Sequence, residues 1–268
     1  MTSAIVEPTP ASTAARQRMI ESEGGAFLLN DWVSALFIHY EVDPDVLQST
    51  IGYQLDLYDG RAYVSVVAFT MRRLRLRVGG RIVSWITAPI ADHGFLNVRT
   101  YVTHEGEPGI HFMAEWLTNR LSVMLGPKTF GLPYRYGRLD YRHDEQSGDL
   151  SGRAQGTGRD QGRTFAYRGQ LQTFEQEQTA AEGTLRHFLI ERYTAYTLQR
   201  TTHRRFRVWH EPWRYRGVQL NIECETLLAV TGSWSRDARY VGADFSRGVE
   251  DVWMGRPRCI NGSACERV

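Results

Sequence analysis

The sequence predicts a mostly β (α+β) protein, a single-domain, antiparallel, closed or partly closed β-barrel with a few short helices. From Phe27 onward, short apolar runs rich in Val, Ile, Tyr and Phe alternate with Gly, Pro and Asp, as in strands joined by turns. Twelve such runs follow one another without a repeat or an interdomain linker. So many strands in one chain favour a barrel or closed sandwich, because closure removes exposed strand edges.

The candidate strands share β-branched and aromatic residues and are bounded by turn residues. Tyr58-Asp59-Gly60 predicts a tight hairpin turn between the second and the third of them. We interpret the Gly-, Asp-, Arg- and Gln-rich segment 146–162 as a loop or a weak hairpin. The candidates are 34–41, 53–58, 61–76, 81–88, 95–104, 110–117, 134–143, 163–172, 193–199, 204–210, 217–227 and 249–258.

Short helices are predicted where a capping side chain precedes a run with helical spacing. We divide the chain into a loose N-terminal arm (1–26) with room for one short helix, a single β-barrel domain (27–258) and a C-terminal tail (259–268). The predicted helices are 43–49, capped by Asp43 with Pro44 in the first turn, 118–125, capped by Thr118 or Asn119, and 185–192, capped by Thr184.

Composition excludes several classes of protein. Hydrophobic residues make up 42% and charged residues 23%, which is ordinary for a globular chain. No apolar run approaches the ~18 residues that span a bilayer, so we expect no membrane partner. Three cysteines are few and odd in number, which favours a reduced, cytoplasmic protein. They lack the spacing of a zinc site, and we predict no metal.

The charge balance argues against a nucleic-acid partner. Lys128 is the only lysine among the 32 basic residues, yet the net charge is only +2. Arginines alternate with apolar residues in two candidate strands, and an outer, solvated sheet face explains this pattern. A nucleic-acid binder would need the strands that carry Arg73 and Arg205 to be adjacent and uncovered.

The segment 95–117 is the most informative, because two strands flank the predicted turn 105–109. Each strand has one apolar face, and a register that keeps the apolar faces together is strongly preferred. A symmetric five-residue loop then pairs Arg99 with Glu115. One face carries Asn97, Arg99, Tyr101, His111 and Glu115.

Two interpretations of this face are open. It is a solvent-facing polar surface whose cross-strand ion pair contributes under ~1 kcal/mol. Alternatively, it lines the barrel interior and forms a ligand pocket. There the Arg99 guanidinium would offer a planar fork to a small carboxylate, with Asn97 and His111 beside it.

Lys128 lies between two prolines, in Gly126-Pro127-Lys128-Thr129-Phe130-Gly131-Leu132-Pro133. If this lysine is desolvated or lies beside another cation, its amine loses its proton and can attack a carbonyl. The alternative is an exposed lysine on a loop, because lysines are rarely buried.

A series of short motifs is spread in order over residues 27 to 258. They are Ile38-His39-Tyr40-Glu41-Val42, Leu55-Asp56 with Asp59-Gly60, Asn97-Val98-Arg99-Thr100-Tyr101-Val102, Leu132-Pro133-Tyr134, Gly183-Thr184-Leu185, Phe188-Leu189, Glu191-Arg192-Tyr193 and Pro212-Trp213. The series resembles the YqjF-like family of uncharacterised bacterial proteins. That family is similar in fold to acetoacetate decarboxylase, and the resemblance implies a β-rich closed barrel with an interior cavity.

The resemblance also implies a mechanism. Acetoacetate decarboxylase uses a Schiff-base lysine in a Gly-x-Pro-Lys-Lys setting, and the sequence around Lys128 is close to it, with Thr129 in place of the second lysine. In this decarboxylase-like lyase hypothesis Lys128 attacks the carbonyl, Arg99 holds the carboxylate, and Glu115 or Tyr101 moves protons. The alternative is a non-catalytic small-molecule-binding or sensor module on the same fold. Neither needs a cofactor, and homo-oligomerisation is left open.

Overall fold

The computed structural model describes residues 10–78, 87–171 and 176–260. Its strands belong to one sheet. They are β1 (Leu28–Val42), β2 (Gln54–Leu55), β3 (Ala62–Leu76), β4 (His93–His104), β5 (Glu107–Leu117), β6 (Tyr134–His143), β7 (Asp149–Gly156), β8 (Thr164–Leu171), β9 (Thr194–Gln199), β10 (Thr202–Trp209), β11 (Arg216–Cys224), β12 (Arg239–Met254) and β13 (Arg258–Ile260). The α-helices of the described residues are α1 (Ala11–Glu23), α2 (Pro44–Gln48), α3 (Arg120–Thr129) and α4 (Leu185–Ile190).

The sheet closes on itself in two places. The strand order is β13-β10-β9-β5-β6-β7-β8-β11-β12-β1-β3-β4-β2, and β5 also pairs with β4 while β10 also pairs with β12. These two pairings produce two rings that share β12, β1, β3, β4 and β5. The predicted class, a mostly β barrel with a few short helices, is confirmed.

Each ring encloses its own hydrophobic core, so the shared strands are buried on both faces. Along β3, Val66 belongs to the first core and its neighbour Val67 to the second. A strand buried on both sides is apolar at successive positions, which explains the unbroken run of buried residues from Val64 to Phe69. The candidate site lies in the second core.

The three predicted helix caps are confirmed. The Asp43 carboxylate accepts hydrogen bonds from the backbone N–H groups of Asp45 and Val46 at the start of α2. Asn119 caps α3 and Thr184 caps α4 in the same way. Helix α3 runs past its predicted end and through a proline to Thr129.

Part of the predicted N-terminal arm, Ala11–Glu23, forms the helix α1. Helix α1 buries Ala15 and Met19 in a small cluster with Trp209, which anchors the helix to the barrel. At the other end, β13 crosses the predicted boundary at residue 258 and pairs with β10.

Strand β7 lies in the segment that we interpreted as a loop or weak hairpin. Its buried residues alternate with exposed ones, but two of them, Gly152 and Gly156, are glycines. Because those positions carry no apolar side chain, the alternation was hard to detect in the sequence. The candidate strand 81–88 lies mostly outside the described residues.

Two further expectations concern the cysteines and the membrane. Cys224 is a free thiol, whereas Cys259 is disulfide-bonded. The expectation of wholly reduced cysteines is therefore wrong for Cys259. Within the described part of the chain, no helix has the length and hydropathy needed to cross a bilayer.

Candidate functional site

The β4–β5 hairpin that builds the site has a tighter turn than the five-residue loop predicted. Only Glu105 and Gly106 form the turn, and both have positive φ, 51° and 78°. Positive φ at both central residues is the geometry of a two-residue hairpin turn. Pro108, taken as a turn residue, instead lies near the start of β5, where a strand tolerates proline.

A β-bulge changes the predicted register. Val98 pairs with Ala114, but the next residue, Arg99, pairs with Phe112, so Met113 has no partner. The extra residue reverses the alternation of side chains along β5. Arg99 therefore does not pair with Glu115 as predicted, although both lie on these two neighbouring antiparallel strands.

The side chains of β5 face as predicted after the bulge but not before it. Glu115 pairs with Asn97, and both side chains reach the second core. His111 pairs with Thr100 and packs in the first core, 5.3 Å from the Tyr53 ring. The placement of His111 beside Arg99 is therefore wrong, and burial lowers the pKa of this imidazole to about 4.

The second core contains a small cavity of about 70 Å³. Its walls come from β1, β3, β4, β5 and β10, from the start of β6, and from the segments around Arg192 and Trp213. Its polar side chains are Asn97, Arg99, Glu115, Tyr134, Arg192 and His210. The apolar lining includes Trp32, Phe37, Val67, Phe69, Phe95, Phe112 and Trp213. Aromatic walls with a few converging polar groups are typical of a small-molecule site.

Arg99 is the buried cation of this cavity. Its side chain donates from Nη2 to the Leu189 carbonyl oxygen at 3.3 Å, its Nε has no hydrogen-bond partner, and its Cζ lies 5.6 Å from the Phe37 ring centroid. It forms no salt bridge with a carboxylate of the described residues. Burial lowers its pKa, yet a guanidinium stays charged at neutral pH. A buried, unpaired cation is costly and invites an anionic ligand.

Glu115 does not neutralise this charge. Burial raises the pKa of its carboxyl group to about 8, and the nearby Arg99 opposes this effect only in part. At neutral pH Glu115 is therefore mostly protonated and can donate a hydrogen bond. Its Oε1 and the Oδ1 of Asn97 are buried without a hydrogen-bond partner, so the cavity holds unused polar groups.

Tyr101 lies next to the cavity rather than in its lining. Its hydroxyl is hydrogen-bonded to the Leu189 carbonyl oxygen at 2.7 Å and to the hydroxyl of Ser65 at 2.5 Å. Ser65 is 2.7 Å from Nδ1 of His39, whose Nε2 lies 3.6 Å from Asp244. This buried network occupies the Tyr101 hydroxyl and joins β4, β3 and β1 beside Arg99.

Lys128 does not lie where the imine hypothesis requires it, which is inside the cavity. It is solvent-exposed in the last turn of α3 and does not line the cavity. Pro127 and the C-terminal turn of α3 fix the backbone at Lys128, and its exposed side chain places the amine in solvent. Lys128 is exposed, as in the alternative to the imine hypothesis, but it lies on a helix and not on a loop.

Several cavity residues escaped the sequence reasoning. We interpreted Trp213 and His210 only as structural, yet both line the cavity, and Trp213 stacks on Trp32 at a centroid distance of 6.1 Å. Arg192 was part of a family motif without an assigned role. The signal that could have found them is the concentration of aromatic and charged residues in Glu191-Arg192-Tyr193 and His210-Glu211-Pro212-Trp213.

The described residues hold no group of three or more His, Cys, Asp or Glu side chains arranged to bind a metal ion. The charged and titratable groups that line the cavity are the guanidinium groups of Arg99 and Arg192, the carboxyl group of Glu115, the phenol of Tyr134 and the imidazole of His210.

The fold and the cavity together define a β-barrel protein with a small buried cavity, and comparison with known proteins places it in a family. The chain belongs to DUF2071, a family of uncharacterized conserved proteins, whose model matches residues 30–249. The uncharacterized protein YqjF of Bacillus subtilis (strain 168) is 30% identical over 222 residues, covering 81% of this chain and 87% of YqjF. The YqjF-like resemblance is confirmed.

Solved structures with the same fold are acetoacetate decarboxylase-like. The acetoacetate decarboxylase of Legionella pneumophila matches with a TM-score of 0.57 and 11% identity over 87% of each chain. An acetoacetate decarboxylase-like enzyme from Sphingomonas wittichii RW1 matches with a TM-score of 0.58 and 16% identity, over 87% of this chain and 94% of that one. The enduracididine biosynthesis enzyme MppR complexed with pyruvate matches with a TM-score of 0.57 and 12% identity, over 96% of this chain and 92% of the MppR chain. At these identities the likeness establishes the fold.

Proposed function

We propose that the protein binds a small carboxylate, of the size of a keto acid such as pyruvate, in the cavity with its carboxylate on Arg99. The observation that carries the proposal is the buried Arg99 guanidinium, which has an unused Nε and no carboxylate partner among the described residues. A ligand carboxylate would supply the missing charge and accept two parallel hydrogen bonds.

The rest of the cavity supports the same class of ligand. Neutral Glu115 can donate a hydrogen bond to a carbonyl or carboxylate oxygen, and aromatic walls suit a short carbon chain. A volume of about 70 Å³ leaves room for only a small molecule. The complex of MppR with pyruvate is a precedent for a keto acid on this fold.

The proposal does not include an imine. Lys128 is the only lysine of the chain, and its side chain is exposed on α3, outside the cavity lining. A ligand bound at Arg99 would therefore meet no amine. Of the two readings that the sequence left open, ligand binding without a Schiff base fits this arrangement.

Calorimetric titration tests the proposal. Acetate, propionate and pyruvate are titrated against the neutral amides of the same acids, with wild-type protein, Arg99→Lys and the exposed control Arg168→Lys. The carboxylates should bind the wild type and the control, the amides should not, and Arg99→Lys should bind about tenfold or more weakly because a planar bidentate fork is lost. Absence of carboxylate binding to the wild type would remove the proposal.

A second candidate function, acid–base catalysis on the bound acid, is favoured by Glu115. A carboxyl group with a pKa of about 8 inside a cavity can give or take a proton near neutral pH. Such a group would exchange the methyl protons of bound pyruvate with solvent. Proton NMR in heavy water would show this as loss of the methyl signal with wild-type protein but not with Glu115→Gln. Equal rates with both proteins would leave binding alone as the function.

A further inference from the structure

A larger surface cleft lies beside α4, on the other side of Arg192 from the cavity. The cleft has a volume of about 530 Å³. Among the described residues, Arg192 alone lines both the cleft and the cavity. Its side chain therefore forms the partition between the surface cleft and the cavity around Arg99. The cleft is also lined by Arg18, Asp56, Tyr58, His187 and Phe188.

Arg192 is held in this position by contacts on several sides. Its Nη1 donates to Asp56 Oδ2 at 2.7 Å, and its Nε donates to the Phe188 carbonyl oxygen at 2.8 Å. Its Cζ lies 4.1 Å from the Phe188 ring centroid and 5.2 Å from that of Tyr101. The side chain is only 8% exposed, so the partition is closed.

The charges around Arg192 make the partition responsive to anions. Burial disfavours its charged form and lowers its pKa, while Asp56 opposes this effect. The Asp56 side chain is 26% exposed, so water can solvate it again if the guanidinium leaves. A carboxylate that arrives through the cleft offers the same kind of acceptor as Asp56 and can take its place, whereas a cation offers none.

We propose that Arg192 is an anion-selective gate, latched by Asp56, through which acids pass from the cleft to the cavity. This inference rests on the proposed function, because the gate serves the acid bound at Arg99. The incoming carboxylate replaces Asp56 as the partner of Arg192. The Arg192 side chain then moves aside while its charge stays paired with the incoming carboxylate. The gate admits small anions and excludes cations of equal size.

Chemical labelling of a cysteine placed in the cavity tests the gate without any ligand. Val67 lines the cavity, and its neighbour Val66 faces the first core on the same strand, so Val67→Cys and the control Val66→Cys are a matched pair. Each is treated with methanethiosulfonates that carry a methyl, a 2-sulfonatoethyl or a 2-aminoethyl group. Mass spectrometry of peptides gives the rate at each site, with the native free thiol Cys224 as internal standard.

The gate predicts a specific pattern of rates at Val67→Cys. The anionic reagent should react about tenfold or more faster than the cationic one, because a cationic passage concentrates anions. Asp56→Asn, which releases the latch, should raise the rates of the neutral and anionic reagents about tenfold. Arg192→Met should raise the rate of the neutral reagent and reduce the preference for the anionic reagent over the cationic one. If Arg192→Met does not fold, Asp56→Asn alone tests the gate.

Two results would overturn the gate. Labelling of Val67→Cys that is absent, or that is unchanged by Asp56→Asn and Arg192→Met, would mean that small molecules do not enter through the cleft. Equal acceleration at Val66→Cys would mean general loosening of the barrel. Because no carboxylate is used, these outcomes are independent of the calorimetry, and either proposal can fail alone.

Discussion

The guanidinium of Arg99 and the carboxyl group of Glu115 line one cavity on neighbouring strands without forming a salt bridge. The β-bulge at Met113 places Glu115 opposite Asn97 and places Phe112 opposite Arg99. Burial then keeps Glu115 mostly protonated at neutral pH, so the positive charge of Arg99 has no anionic partner within the part of the chain that the structure describes. An unpaired buried cation beside a neutral hydrogen-bond donor is the basis of the proposed carboxylate site.

Replacing Arg99 by an apolar residue should stabilise the free protein. Arg99→Met removes a buried charge that has no carboxylate partner, so we expect the free energy of unfolding to rise by about 1 kcal/mol or more while carboxylate binding is lost. Urea denaturation measures the change. The control Arg207→Met removes a partly buried arginine that is paired with Glu107 at 3.0 Å, and it should destabilise the protein, by about 1 kcal/mol or more. Similar destabilisation by both variants would show that Arg99 is a structural residue.

Glu115 should make stability fall as the pH rises. Its pKa is about 8 in the folded protein against 4.5 when unperturbed, so the folded state binds the extra proton between these values. Its contribution is fully present below about pH 4.5 and is lost as the pH rises through about 8, a difference of roughly a few kcal/mol. Buried histidines such as His93 and His111 have lowered pKa values and act in the opposite direction.

The measurement for Glu115 is therefore a difference between two proteins. Unfolding free energies of wild type and Glu115→Gln are compared from pH 5 to pH 9, so that the histidine contributions cancel. The stability of Glu115→Gln relative to the wild type should increase from pH 5 to about pH 8 and level off above it. A difference that does not change with pH would contradict the raised pKa.

Tyr101 should affect stability more than ligand binding. Tyr101→Phe removes the hydroxyl that joins Ser65 to the Leu189 carbonyl oxygen in a buried site, at an expected cost of about 1–3 kcal/mol. The control Tyr58→Phe removes an exposed hydroxyl bound to the Gly183 carbonyl oxygen and should cost much less. Calorimetry should give nearly the wild-type Kd for pyruvate. Loss of binding or of proton exchange at unchanged stability would instead support the catalytic role first considered for Tyr101.

Lys128 should be dispensable. Since its amine is exposed on α3, Lys128→Arg should bind pyruvate as the wild type does, within about twofold. Borohydride added with pyruvate or acetoacetate should trap no lysine adduct, after reaction at the chain's terminal amine is subtracted. An adduct that forms in the wild type and is absent from Lys128→Arg would restore the imine mechanism.

The fold was predictable from the sequence because its signals are local. Turn residues bound the β-rich runs, and Asp43, Asn119 and Thr184 precede three short helices that they cap. The register of the β4–β5 hairpin was not predictable, because a single unpaired residue, Met113, reverses which side chains of β5 face the cavity. No local pattern marks such a bulge when both faces of the strand are buried.

The site was predictable only where it lies on that hairpin. Asn97, Arg99 and Glu115 were identified as a polar face and do line the cavity. Arg192 and Trp213 reach it from segments distant in sequence, through ring closure between strands that are not consecutive. Proximity of that kind depends on long-range pairing, which a single sequence does not display.

The most direct test of the account is a crystal structure of the protein grown with pyruvate. The account predicts one pyruvate in the cavity, with its carboxylate on the Arg99 guanidinium, its keto oxygen near Glu115, and no bond to a lysine. Pyruvate bound elsewhere, or a cavity that stays free of it at saturating concentration while Arg99 keeps its present contacts, would contradict the account.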